Sequence, residues 1–244
     1  MRVIDGHAHL EDLPNLDSEL AAAKEAGVVA VIAMGSDEKS NDFSLDVSRR
    51  NAGFVFPALG LHPWNLREDF GPMLESIKNN IDSCVAIGEV GLDFKMPKPK
   101  ELQVAAFKGV LELAKRFEKP VIIHSRWAWR AAFDLVKESG VKRVVFHWYS
   151  GPLDILHEVL EFGCYVSATP AVTYSEYHIP AIKEVPLERL LLETDTPVIY
   201  RGMKSSPKEV VRVVKAVAQI KGVSEEDVAE TTTKNAAALF GLKV

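Results

Sequence analysis

Cysteine is scarce: the 244 residues hold two, Cys84 and Cys164, both inside apolar text. That excludes a disulfide framework and implies a reducing compartment, so the expected location is the cytoplasm. No uncharged apolar run reaches the roughly 18 residues that a membrane-spanning helix needs. The opening MRVIDGHAHL also lacks the apolar stretch of a signal peptide. Positive charge is not in excess either. Lys and Arg number 29 against 34 Asp and Glu, a net charge of −5, which excludes a polycationic nucleic-acid wrapper but not an enzyme that meets a nucleic acid at one local site. The 15 glycines and 13 prolines are scattered, so no linker or low-complexity segment divides the chain, and residues 1–244 read as one domain.

What is present is ordinary globular material, 47% hydrophobic and 26% charged, arranged with a rhythm. Eight short β-branched runs recur: RVID at 2–5, VVAVIAM at 28–34, FVFPALG at 54–60, CVAIGEV at 84–90, PVIIHS at 120–125, KRVVFHW at 142–148, GCYVSAT at 163–169 and RLLLETD at 189–195. Several are apolar at consecutive positions, as parallel strands covered on both faces are. Helical patterns lie between them, at 18–27, 101–118, 128–140 and 152–163, most followed by glycine. Two more close the chain at about 207–220 and 225–240, the first announced by a capping box of Ser206 and Glu209 around Pro207. Eight strand–helix units in about 250 residues predict a (β/α)8 TIM-type barrel with an extra C-terminal helix. A doubly wound open sheet would instead carry a GxGxxG loop after its first strand, where this chain has GHAHL.

In such a barrel the chemistry gathers at the C-terminal ends of the strands, and there the polar residues of this chain fall. Asp5, His7 and His9 follow strand 1 at a spacing of two; strand 3 ends in His62, strand 4 in Glu89 and Asp93, strand 5 in His124 and Arg126, strand 6 in His147, strand 8 in Glu193 and Asp195. A single histidine at a strand end is usually just a hydrogen-bonded residue, and His157 and His178, away from strand ends, are read so. Five histidines converging with carboxylates on one rim are different. Burying them together without a cation leaves unpaired charge and unsatisfied nitrogens, so one or two divalent ions are expected. Zinc, manganese, nickel or iron suit imidazoles with one bridging carboxylate, and magnesium prefers oxygen.

These blocks carry a resemblance. DGHAHL at 5–10, LGLHPW at 59–64, IGEVGLDF at 87–94, PVIIHSR at 120–126, VVFHWYSG at 144–151, LLLETDTP at 190–197 and VAETTTKNAAALFGL at 228–242 together resemble the TatD family of metal-dependent deoxyribonucleases, amidohydrolase-type barrels. The resemblance implies two divalent ions (Zn, Mn, Mg or Ni). It makes His7 and His9 ligands of the first, Glu89 the bridge, His124 and His147 ligands of the second, and Asp195 a ligand of the first that also handles the proton of the attacking water. His62 matches a histidine that meets substrate phosphate. This chain departs from the family in HWYSG, which sets Trp148 and Tyr149 beside His147, in Phe94 after GLD, and in a shorter loop VIYRGMKSSP that keeps Arg201 and Gly202.

The function so implied is two-metal hydrolysis of a phosphodiester by an activated water, exonuclease-like, with DNA or another phosphodiester as partner and no membrane or obligate protein partner. Glu89 and Asp195 carry the chemistry; His62, Arg126, Trp148 and Arg201 meet the substrate. Arg126, two positions after His124, can fork onto phosphate oxygens or pair with Asp93 or Glu193. Asp5 and Asp93 are expected to orient histidines. Trp64, Trp127 and Trp148 follow the histidine blocks closely enough to stack on bases. The same centre on a carbonyl substrate (amide, ester or lactone) is the alternative.

Overall fold

The computed structural model describes residues 1–244. All eight expected strands form: β1 (Val3–Ala8), β2 (Val28–Met34), β3 (Val55–Leu61), β4 (Ala86–Asp93), β5 (Val121–Arg126), β6 (Val144–Phe146), β7 (Tyr165–Ala168) and β8 (Leu190–Leu192). They pair in parallel and in sequence order. The ring closes where Ala8 bridges Thr196, Asp195 N–H donates to the His7 carbonyl (3.0 Å) and His9 N–H to the Thr196 carbonyl (2.8 Å). The result is the expected (β/α)8 barrel.

Helices α1 (Leu16–Glu25), α2 (Glu38–Arg50), α3 (Gly71–Asn79), α4 (Lys100–Arg116), α5 (Trp129–Ser139), α6 (Leu153–Glu161) and α7 (His178–Glu184) lie between successive strands; α8 (Val210–Lys221) and α9 (Glu225–Phe240) follow β8. One hydrophobic cluster joins the outer strand faces to the helices. A second takes alternate strand residues, among them Ile4, Ile32, Ala58, Ile122 and Leu191, with Leu239 and Phe240 of α9. This is the barrel interior, filled with side chains and closed below by α9. Asn235 Nδ2 donates to the Leu187 and Leu190 carbonyls, and Thr233 to the Arg2 carbonyl, both at N-terminal strand ends.

The structure differs from the sequence reading in four places. Helices α2, α3 and α7 had no periodic signal strong enough to read, α2 because its text, EKSNDFSLDVSRR, is largely polar. A small hairpin, β9 (Ile199–Tyr200) with β10 (Met203–Lys204), occupies the loop after β8. The capping box at Ser206 does not form: residues 207–209 make a 3₁₀ turn, Ser206 Oγ has no partner, and Glu209 turns to Arg212 at 2.7 Å. A real capping box stands at α2, where Asp37 and Ser40 exchange bonds. Finally, Asp5 orients no imidazole. Its carboxylate accepts from Thr194 N–H (2.9 Å) and Thr194 Oγ1 (2.7 Å) across the closing seam, and from His7 N–H (3.4 Å), while burial pushes it up to about 8.

His178, read as an ordinary core histidine, is one. Nδ1–H donates to the Tyr149 carbonyl (2.7 Å) and Nε2 accepts from Thr169 N–H (3.1 Å). Only the neutral ring satisfies both, and burial lowers its pKa to about 4. The unfolded chain binds this proton below its ordinary value of about 6.5, whereas the fold refuses it down to about 4. Stability from this group is therefore complete above about pH 6.5 and drains as pH falls, by about 2 kcal/mol at pH 5. His178→Gln keeps one donor and one acceptor without titrating. Urea unfolding in chelator should show the wild type losing about 2 kcal/mol more than this variant between about pH 7 and pH 5; equal losses would mean the ring is not held neutral.

Candidate metal centre

The closing seam sets the first half of the site. Because β1 and β8 are bonded at His7 and Asp195, the strand ends carrying these side chains are locked side by side. His7 Nε2 lies 3.2 Å from His9 Nε2, 3.4 Å from Glu89 Oε2 and 3.5 Å from Asp195 Oδ1; His9 Nε2 lies 3.2 Å from Glu89 Oε2 and 3.8 Å from Asp195 Oδ1. Four donor atoms from β1, β4 and the end of β8 thus face one point.

Glu89 begins a second group with its other oxygen. Oε1 is 2.7 Å from His124 Nδ1, 3.3 Å from His147 Nε2 and 3.4 Å from His62 Nε2. Reaching this position requires the strands to approach closely above Gly60, where a Cβ would stand 2.1 Å from the Gly35 carbonyl oxygen and 2.4 Å from Glu89 N. Gly91, at φ +139°, does the same against the His124 carbonyl. No side chain fits at either place.

Protons cannot satisfy this arrangement economically. His124 Nε2–H points to Asp93 Oδ2 (3.2 Å) and His147 Nδ1–H to Glu193 Oε1 (2.8 Å). The remaining nitrogen of each ring then presents a lone pair to Glu89 Oε1, acceptor against acceptor, which calls for a cation between them. Electrostatics say the same. Burial works against charge on His9 and His147, yet Glu89 with Asp195 lifts His9 to about 9, and Glu193 with Glu89 lifts His147 to about 10. Burial likewise opposes the Glu89 carboxylate, and His62, His147 and His7 still hold it well below its ordinary range. A pocket this avid for protons is avid for metal cations, which need the same lone pairs. Possible ligand atoms gather here in three groups, His7 with His9 and Asp195, His7 with His147 and Glu193, and His62 with Glu89 and His124, and the two oxygens of Glu89 face the first and the last of them.

His62 differs from the other four. Its Nδ1 accepts from Trp64 N–H (3.1 Å), which puts the ring proton on Nε2, facing the cavity, and burial first of all depresses its pKa to about 4. A neutral ring carrying Nε2–H is a hydrogen-bond donor. Asp93 links several parts. Oδ2 accepts from His124 and from Trp64 Nε1 (2.7 Å), Oδ1 accepts from Lys95 N–H (3.0 Å) and stands 3.8 Å from Arg126 Nε.

Above these groups opens a cavity of about 580 Å³ lined by His9, His62, Glu89, His124, His147 and Asp195, with Arg126, Trp64 and Trp148 on its walls. Trp148 packs against Tyr200 of the hairpin, ring centroids 5.4 Å apart. Arg201 does not line it. At the hairpin turn with φ 49°, its guanidinium lies 4.5 Å over the Tyr174 ring. His157 is exposed near Glu184. The sequence reading missed Glu11, Asp12, Asn65 and Tyr177, which also line the cavity. Their only signal was position in loops following strands, which many other polar residues share.

The family model "TatD related DNase" matches residues 4–241. The human protein "Deoxyribonuclease TATDN3" is 34% identical over 258 residues, covering 98% of this chain and 94% of that protein. A metal-dependent hydrolase of Methanocaldococcus jannaschii is 31% identical over 248 residues, covering 98% and 97%. Among solved structures, YJJV, a TatD homolog from Escherichia coli K12, is 28% identical, covers 99% of both chains and has a TM-score of 0.91. With its possible metal ligands gathered at the mouth of an eight-stranded barrel and a family match over nearly its whole length, the chain belongs to the TatD-related DNase family and is a divalent-metal-dependent hydrolase.

Proposed function

We propose that the protein is an exonuclease-like deoxyribonuclease, cleaving phosphodiesters at strand ends with two divalent ions that His7, His9 and Asp195 on one side, His124 and His147 on the other, and Glu89 with both would hold. The observation that carries this reading is the division of Glu89: one oxygen faces His7 and His9, the other His124 and His147. Nitrogen-rich donors favour zinc, manganese or nickel over magnesium. When bound, such a pair of ions supplies an activated water and neutralises charge on the transferring phosphoryl group.

The chain's own residues do the rest. Asp195, at the edge of the cavity, accepts the proton of the attacking water. His62 offers Nε2–H to a phosphate oxygen, and Arg126, which lines the same cavity at the end of β5, adds a fixed guanidinium. Asp93 and Glu193 hold the His124 and His147 rings by their remaining N–H groups, so the lone pairs stay aimed at Glu89. Trp148 forms an aromatic wall beside His147 and bears on which base enters. Arg201, on the hairpin turn, is left to meet the flank of a longer strand.

The test is a metal-reconstituted screen of purified protein, with chelated protein as control, on bis-aryl phosphodiester, end-labelled single-stranded DNA, and lactone and dipeptide panels. Metal-dependent turnover of both phosphodiesters, with bound metal approaching two equivalents, is expected. Turnover confined to the lactones or dipeptides overturns the nuclease reading in favour of a carbonyl substrate. A plateau at one equivalent with full activity refutes the paired centre.

Roles within the site separate on β8. Asp195→Asn keeps shape but removes the proton acceptor, and turnover on one phosphodiester at saturating metal should fall by roughly 10²–10⁴. Glu193→Gln disturbs the hold on His147 and on the Trp148 N–H that shares the same oxygen (3.1 Å) and should cost about 10–100-fold, with circular dichroism unchanged in both. If Glu193→Gln is the deader enzyme while Asp195→Asn is near normal, the proton acceptor has been misassigned.

A further inference from the structure

Trp127 follows directly on β5, at the strand end that carries His124 and Arg126, and no contact of the metal centre uses it. Its indole is 63% exposed, which makes it one of the most exposed large apolar side chains in the molecule. Its backbone sits at φ 57°, in the left-handed region where glycine is at ease and a bulky residue is strained. Neither fact serves the fold. Exposure leaves apolar surface in water, and the backbone would be relaxed by removing the side chain altogether.

The surroundings of the ring indicate what it is for. The Lys95 ammonium stands 5.4 Å from the Trp127 ring centroid, and the Arg126 guanidinium lies 5.9 Å over Trp64, which lines the cavity. Two indole–cation pairs thus stand on the β4 and β5 side of the mouth. The Trp64 ring and the Lys95 backbone are tied to the centre, because Asp93 receives Trp64 Nε1, Lys95 N–H and His124 Nε2 together. Phe94 N–H donates to the Arg126 carbonyl (2.9 Å), tying the loop bearing Lys95 to the residue before Trp127. A flat apolar face beside a mobile ammonium matches one repeating unit of single-stranded nucleic acid, a base to stack and a phosphate to pair.

We propose that Trp127 and Lys95 form a nucleobase subsite outside the catalytic cavity: the indole stacks on a base upstream or downstream of the scissile bond, and Lys95 meets the adjoining phosphate. This rests on the phosphodiesterase reading and adds to it a grip on the strand, so the effect depends on substrate length. A small aryl phosphodiester ends inside the cavity; an oligonucleotide reaches the platform.

Trp127→Gly, Trp127→Phe and wild type are compared in the metal-loaded enzyme on bis-aryl phosphodiester, a dinucleotide and a single-stranded tetranucleotide. Trp127→Gly should lower kcat/KM on the tetranucleotide about tenfold more than on the aryl diester, chiefly through KM, and Trp127→Phe should restore most of the loss. An abasic residue at the stacked position should penalise the wild type and leave Trp127→Gly little changed. The melting temperature of Trp127→Gly should equal or exceed that of the wild type, since strain is relieved and little burial is lost. Equal losses on all three substrates, or a lower melting temperature with proportionate loss, overturn the subsite and make Trp127 structural. Sedimentation that shifts from dimer to monomer in Trp127→Gly overturns it in favour of a contact between copies. A wild type inert towards every phosphodiester overturns the nuclease reading itself, a result distinct from either.

Discussion

An eight-stranded sheet closed on itself has one place where first strand must meet last, and in this protein that meeting makes the chemistry possible. β1 and β8 share few ladder bonds. The seam is held instead by the Ala8–Thr196 bridge, two backbone bonds at His7 and His9, and the buried Asp5 carboxylate gripping Thr194. The residues that close the ring therefore adjoin those that carry the reactive groups. A loosened seam would separate His7 and His9 from Asp195, and α8 and α9, which pack against both β1 and β8, brace it from outside.

The second constraint is electrostatic. Five imidazoles and the four carboxylates of Glu89, Asp93, Glu193 and Asp195 are buried or nearly so at the barrel mouth. Three of the rings have an outer partner, Asp93 for His124, Glu193 for His147 and Trp64 N–H for His62, whereas the buried Nδ1 of His7 has none. These outer bonds set the tautomers, and the tautomers leave the inner lone pairs turned on Glu89. Side chains in the outer ring thereby decide what the inner ring can bind, without touching it.

Much of this was legible in the sequence because a parallel barrel strand is a simple object: a short apolar run, a polar residue at its C-terminal end, then a helix. Residue type and position placed His7, His9, His62, Glu89, His124, His147 and Asp195 at strand ends, the family resemblance separated six of them from His62, and the structure brings their donor atoms within a few ångströms of one another. Helices α2 and α3 were not legible, since polar text and a short span leave little periodicity to detect. Nor was the role of Asp5. Its spacing from His7 and His9 suggested a common direction, but its partner, Thr194, lies 189 residues away and depends on closure. The hairpin and the withdrawal of Arg201 onto Tyr174 reflect loop geometry, which side-chain chemistry alone does not encode.

Asp93 has a consequence for how such a protein can change over generations. Trp64 is bonded to it and so shares a carboxylate oxygen with His124; any drift at Trp64 is felt at the catalytic ring. Trp127 joins the same rim only through the chain on either side of it and the Lys95 ammonium over its face. One aromatic is hostage to the chemistry and the other is free of it. On the proposed subsite, selection can retune the grip on a strand by trial at position 127 while the centre ordered by Asp93 stays fixed, a separation that lets a single hydrolytic centre be inherited intact by lineages with different substrates.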